Sequence, residues 1–356
     1  DDLAAILYTS GTTGRSKGAM LTHGNLASNA ETLAAVWRFT PQDVLLHALP
    51  IYHTHGLFVA INTLLVSGGK IILMQKFDPD ECLTLMPKAT VMMGVPTFYT
   101  RLLRHEALSR ESTAHMRLFL SGSAPLLEET HRAWHERTGH VILERYGMTE
   151  TNMTTSNPYD GERRAGTVGF PLPRVSLRIT DPKSGAVLGQ GGTGIIEVKG
   201  PNVFRGYWRS PEKTAAEFRK DGYFVTGDLG RIDTGGYLHI VGRAKDLIIS
   251  GGLNVYPKEV EAAINEIFGV IESAVVGLPH EDFGEAVAAM VVLEKGVEHG
   301  EQEVQAALAN RLAKFKLPKR VVFVDDLPRN AMGKVQKNLL RESYKDMFCQ
   351  PPGRRP

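Results

Sequence analysis

Thr9 to Gly18, TSGTTGRSKG, interleaves glycines with hydroxyl side chains and carries Arg15 and Lys17. These residue types suit an anion: glycine frees backbone amides to form a nest, hydroxyls add donors, and the two cations supply charge. The spacing excludes a Walker loop, since counting from Gly11 puts Ser16 where the second glycine belongs and Gly18 follows Lys17. Alone, the stretch reads equally well as a surface turn. Further chemistry-bearing stretches follow: YGMTE at Tyr146–Glu150, TGDLG at Thr226–Gly230, GRAKDLIISGG at Gly242–Gly252 and PRNAMGK at Pro328–Lys334. Arg145 stands just before YGMTE, and such a cation invites a carboxylate.

These groups act together only if the fold converges them. The first two-thirds of the chain alternates short apolar runs with helical patterns. Strands are expected at Ala4–Tyr8, Val44–Leu49, Lys70–Met74, Val91–Val95 and Leu118–Ser121, with helices at Asn25–Trp37 and Thr97–His105. That alternation is an α/β signature with a parallel-type sheet. From about Val168 the texture becomes short strands broken by Gly and Pro, as in SLRITD, GIIEVKG, GYFVTGD and GYLHIVGR, which suits a small antiparallel sheet or barrel. Past Arg243, helices at Lys258–Glu266 and Gln302–Ala313 join strands at Ala274–Gly277, Ala286–Leu293 and Arg320–Val324 in a compact α+β unit. The expected domains are residues 1–244, with a β-rich subdomain at 168–244, and residues 245–356, whose tail CQPPGRRP is expected to fray.

Composition sets the outer limits. With 356 residues, 42% hydrophobic and 22% charged, the chain can bury a sizeable core in two domains. A net charge of +2 gives no global field for nucleic acid or an anionic membrane. Cys82 and Cys349 fit no metal or redox spacing, the usage expected of a reducing compartment such as the cytoplasm. Leu57–Val66 is well short of the ~18 apolar residues that span a bilayer, so no membrane insertion is expected. DDLAAILYTS lacks the basic start of a secretion signal, and its LAAILYT reads as a buried strand with partners upstream.

In their order along the chain, the quoted motifs resemble the adenylate-forming superfamily of acyl-CoA synthetases, luciferases and peptide-synthetase adenylation domains. The resemblance runs from Asp1 to about Lys345 and implies a member without its amino-terminal portion. It implies a large, incomplete α/β domain with a β-barrel-like subdomain, then a mobile α+β domain. The implied chemistry is attack of a carboxylate on the α-phosphorus of ATP, followed by displacement of AMP by a thiol. Thr9, Ser10, Gly11, Thr12, Thr13 and Lys17 would hold phosphates, Glu150 would bind Mg2+, and Thr149 would lie beside the reacting phosphate. SGSAPL resembles the adenine loop through Gly122, Ser123 and Ala124, with Tyr146 and Gly147 opposite. Asp228 matches the ribose-binding acid and Arg243 its neighbour, while Lys334 matches the lysine that reaches the α-phosphate. Lys245 matches a hinge, and Gly251 and Gly252 would border the coenzyme A tunnel. The basic residues Lys314, Lys316, Lys319, Arg320, Lys337 and Arg341 lack interleaved aromatics, so they fit ATP and coenzyme A phosphates better than nucleic acid.

The stretches HALPIYHTHGLFVA, GVPTFYTRLL, LSGSAPL, LERYGMTETNM and KGPNVFRGYW are, in addition, closely similar to malonyl-CoA synthetases, some of which accept methylmalonate. The similarity implies a malonate pocket from Arg145, His53, Arg101 and Ser121. Rival readings are a medium-chain fatty-acyl-CoA ligase, an adenylation enzyme acting on a carrier protein, and an inactive nucleotide-binding remnant. Oligomeric state leaves no decisive trace in the residues.

Overall fold

The structure is a computed structural model and describes residues 1–9, 17–329 and 334–348. Ser10, Gly11, Thr12, Thr13 and the tail from Cys349 lie outside the described residues. The chain divides into two compact units, residues 1–226 with 230–240, and residues 227–229 with 241–356.

The first unit contributes strands β1 (Leu3–Thr9), β2 (Lys17–Thr22), β3 (Val44–His47), β4 (Lys70–Leu73), β5 (Val91–Gly94), β6 (Leu118–Ser121), β7 (Leu143–Met148), β8 (Asn152–Ser156), β9 (Phe170–Pro171), β10 (Ser176–Thr180), β11 (Gly194–Lys199) and β12 (Gly206–Tyr207). Strands β13 (Phe224–Ile232) and β14 (Leu238–Arg243) follow. The main sheet runs β4-β3-β5-β6-β7-β8-β9, parallel from β4 to β7 and antiparallel thereafter. Its parallel strands are apolar throughout because both faces are covered. Leu45, Val91, Leu118, Leu120 and Leu143 pack with Leu33 and Trp37 on one face; Leu46, Met92 and Phe119 pack with Tyr99 and Trp134 on the other. Ser121 and Arg145 therefore emerge at the carboxyl ends of β6 and β7, the edge where open α/β sheets place ligands.

β1 forms where the apolar run LAAILYT leads one to expect a strand. It pairs antiparallel with β2, which follows it, and Thr9 faces Lys17. The run LAAILYT is one arm of a hairpin in the sheet β1-β2-β12. The β-rich region forms a four-stranded sheet, β10-β11-β13-β14, filled by Ile179, Ile196, Val198, Phe224 and Leu238.

One buried ion pair ties the main sheet to its loops. Arg117 donates from Nε and Nη2 to the two oxygens of Asp43 at 2.6 and 2.9 Å, and Asp43 also accepts from the Thr40 amide at 2.8 Å and the Thr90 hydroxyl at 2.9 Å. Burial alone would raise the Asp43 carboxyl, but these donors hold it below its ordinary value. Its stabilisation is complete above the unfolded carboxyl's pKa and disappears as pH falls through the lower folded value. Asp43→Ala leaves the Arg117 guanidinium stranded and is expected to cost ~2–4 kcal/mol, read as a lowered urea midpoint with an unchanged slope.

The second unit is built on β15 (Ile248–Ser250), β16 (Leu253–Val255), β17 (Val270–His280), β18 (Gly284–Leu293) and β19 (Arg320–Phe323). They run β16-β15-β18-β17, with β19 parallel to β18. Helices Pro257–Asn265 and Glu301–Ala309 cover one face through Val260, Ile264, Val304 and Leu308; helix Lys337–Tyr344 covers the other through Leu340. Among the described residues no helix is long and apolar enough to cross a membrane.

Candidate active site

Arg145 is the least expected side chain in the first unit. Successive strand residues point to opposite faces, so Arg145 follows Leu143 inward while Glu144 turns the other way and accepts the Gly166 amide at 3.3 Å. Only 3% of Arg145 is exposed, yet among the described residues no carboxylate pairs with it and its Nε finds no acceptor. Nη2 donates to Nε2 of His55. With Nε2 accepting, the neutral ring carries its proton on Nδ1, which lies 3.0 Å from the Ser123 hydroxyl. Desolvation pulls Arg145 down to about 9, so it keeps its charge at neutral pH.

The surroundings admit the guanidinium by leaving space. A side chain at Gly122 would overlap it, which makes glycine a requirement there. Ser123 adopts φ +68°, a left-handed conformation that costs a non-glycine residue of order 1 kcal/mol and that accompanies the hydroxyl's contact with His55. His55 itself opens a π-helical turn, His55–Ile61, a geometry that recurs at functional sites. Ser121 is buried with its hydroxyl unpartnered, while Ala124 is exposed.

Not every expected pocket residue joins this cluster. His53 accepts the His55 amide through Nδ1 at 3.2 Å, shaping the turn, whereas His55 meets Arg145. The only sequence signal for His55 is its place two residues after His53 in PIYHTHG. Arg101 stands exposed on helix Pro96–Leu103, its guanidinium 5.3 Å over the Phe77 ring. Tyr99 and Leu102 take the helix's inward face, which turns Arg101 outward, and no described contact links it to Arg145.

Thr149 and Glu150 form the turn between β7 and β8. The turn is held from outside itself: the Phe204 amide donates to the Glu150 carbonyl at 2.7 Å, and Asn202 Nδ2 donates to the Thr151 and Met153 carbonyls at 2.6 and 3.1 Å. Glu150 is 5% exposed, and its Oε1 lies 2.9 Å from the Tyr207 hydroxyl. That hydroxyl also lies 2.6 Å from Glu217, whose other oxygen meets Lys17 at 3.2 Å. Tyr207 and Glu217 escape the sequence reading, although KGPNVFRGYW contains the first. Tyr146 and Gly147 lie half-buried on β7, and a side chain at Gly147 would strike the Asn152 carbonyl. A buried carboxylate oxygen suits Mg2+, which needs only one or two protein carboxylates when phosphates supply other ligands. Glu150 thus fits that ion as a single carboxylate ligand.

In the second unit, Arg243 Nε bonds Asp228 Oδ1 at 2.7 Å, and Asp228 is buried. Lys245 is exposed in the short turn Ala244–Asp246, where Arg341 binds Asp246. Gly251 and Gly252, at φ +57° and +80°, make the tight turn between β15 and β16, and a turn with both central residues left-handed calls for glycine. Lys334 is exposed beside Val335, which bridges to Arg329. Several neighbouring cations are neutralised locally: Lys316 by Glu259, Arg320 by Glu301 and Lys337 by Glu261.

Comparison with known proteins extends these observations. Residues 1–208 match the AMP-binding enzyme family, and residues 259–334 match the AMP-binding enzyme C-terminal domain. A malonate–CoA ligase of Arabidopsis thaliana is 39% identical over 377 residues, covering 97% of this chain and 61% of the relative. A long-chain-fatty-acid–CoA ligase of Bacillus subtilis is 39% identical over 347 residues, covering 96% and 62%. ATP-bound MatB from Rhodopseudomonas palustris is 67% identical with a TM-score of 0.96, over 98% of this chain and 69% of that one. The chain thus spans 61–62% of the length of these curated relatives. With a match over more than half its residues and a second in its carboxyl-terminal unit, the chain belongs to the AMP-binding enzyme family.

Proposed function

We propose that this chain carries out the ATP-dependent joining of malonate to coenzyme A. The malonate oxygen bonds to the α-phosphorus as pyrophosphate leaves; the coenzyme A sulfur then bonds to the acyl carbon as AMP leaves, and the thiol proton passes to solvent. The observation that carries the reading is Arg145, a buried guanidinium with no carboxylate beside it among the described residues. Burying a charge without a counter-ion costs several kcal/mol, and a ligand carboxylate offsets that cost through a bidentate charge-assisted bond. A fatty acid offers a methyl group at that place and leaves the cost uncompensated.

The remaining residues take roles in the same reading. Glu150 holds Mg2+, which supplies charge neutralisation at the departing pyrophosphate. Lys17 and the loop from Thr9 hold phosphate oxygens, Asp228 accepts from the ribose hydroxyls, and Tyr146 lies against the base. Ser121 and His55 orient the far carboxylate, while Gly251 and Gly252 serve the thiol step. Residues 245–356 act as a mobile domain hinged at Lys245. The setting is a reducing, cytoplasmic one, in keeping with Cys82 as a free, buried cysteine.

The test is exchange of labelled pyrophosphate into ATP with malonate, methylmalonate, propionate and octanoate, followed by thioester formation. Malonate is expected to exceed propionate by at least about a hundredfold in kcat/KM, because a site built for a polar group rejects the analogue lacking it. Preference for octanoate would overturn the malonate reading in favour of a fatty-acyl ligase. Background exchange from folded protein would favour a nucleotide-binding remnant.

A further inference from the structure

Lys17 and Glu150 lie far apart in sequence, and a single side-chain chain connects them. Tyr207, 4% exposed, places its hydroxyl 2.9 Å from Glu150 Oε1 and 2.6 Å from Glu217 Oε2. Glu217 Oε1 in turn meets Lys17 Nζ at 3.2 Å and Lys213 Nζ at 3.1 Å, and the Lys17 ammonium sits 4.9 Å over the Tyr207 ring. One phenol proton lies between two carboxylates and serves either but not both, so a shift of one carboxylate is felt by the other. The strand that carries Tyr207 is itself fixed: β12 pairs with β2, matching Tyr207 to Ala19, and the Tyr207 amide donates to Thr214 at 2.9 Å on the helix that ends at Glu217.

We infer that Tyr207 and Glu217 are positioning residues, a strut that sets the metal-binding carboxylate of Glu150 and the phosphate-binding ammonium of Lys17 at a fixed mutual geometry before MgATP arrives. Neither touches the reacting atoms. The phenol engages Glu150 Oε1 and holds the carboxylate that would bind the ion, while Glu217 fixes Lys17 by charge and Tyr207 by hydrogen bond. This inference rests on the reading of Glu150 as the Mg2+ ligand, and it is independent of which acid is activated.

The experiment is calorimetric binding of ATP to the full chain over a Mg2+ titration, with no acid substrate present. Tyr207→Phe keeps the ring and removes the hydroxyl; Glu217→Gln keeps the shape and removes the charge. Each is expected to raise the half-saturating Mg2+ concentration about tenfold, in the range seen when a partner of a metal ligand is lost. The double variant is expected to be no weaker than the worse single one, because both break the same strut. Arg311→Ala, at the exposed pair with Glu266 outside this network, should leave the titration unchanged. Single variants at the parent value, effects that multiply in the double variant, or a parent chain that binds no MgATP would each overturn the inference. Binding needs no malonate, so intact coupling here with no malonate-dependent exchange would defeat the substrate reading alone.

Discussion

Replacing Arg145 by methionine is expected to lower kcat/KM for malonate about 10⁴-fold while raising thermal stability, and the opposite signs are the informative part. A substitution that damages a site by damaging the fold lowers both. Here the parent protein carries a guanidinium 3% exposed, with a ring nitrogen of His55 as its acceptor and Gly122 against its face. Methionine fills similar volume without charge, so the folded state gains ~1–3 kcal/mol once the desolvation cost is gone. Malonate added to the parent should raise its melting temperature, and malonate added to the variant should not. Arg145→Lys is expected to recover little, since a point charge on a flexible stem cannot reproduce two parallel hydrogen bonds. A variant that melts lower than the parent, or that keeps its preference for malonate over propionate, would show that the far carboxylate is held elsewhere.

The same residue shows where sequence is legible and where it is not. Val44–His47, Val91–Gly94 and Leu118–Ser121 stand out as strands because burial on both faces demands unbroken apolar runs. Leu143–Met148 continues that sheet but reads LERYGM, its pattern broken by Glu144, Arg145 and Gly147 at the edge where ligands bind. Function there overrides the pattern that marks structure. The motifs identify Glu150, but the network behind it comes from residues far along the chain, Asn202, Phe204, Tyr207 and Glu217, and no local periodicity announces such contacts. His55 is hidden for another reason: a π-helical turn has no 3.6-residue signature, so two histidines two positions apart give no clue to which one points inward.

Lys334→Ala is expected to separate the two half-reactions. Lys334 is exposed, and truncating an exposed side chain usually changes stability by about 0.5 kcal/mol or less, so a folding defect is not the expected cause of any loss. If its ammonium neutralises charge that develops only as pyrophosphate departs, the substitution removes transition-state stabilisation and leaves ground-state binding nearly intact. Adenylate formation should then fall about 10³-fold in kcat with a small change in the KM for ATP. Thioester formation from chemically prepared malonyl-adenylate and coenzyme A should proceed at close to the parent rate, because that step forms no new charge on a leaving pyrophosphate. Rapid-quench measurement of each half-reaction gives both numbers from one protein preparation. Equal losses in the two steps would assign Lys334 a general role in binding nucleotide, and an unchanged exchange rate would remove it from the chemistry altogether.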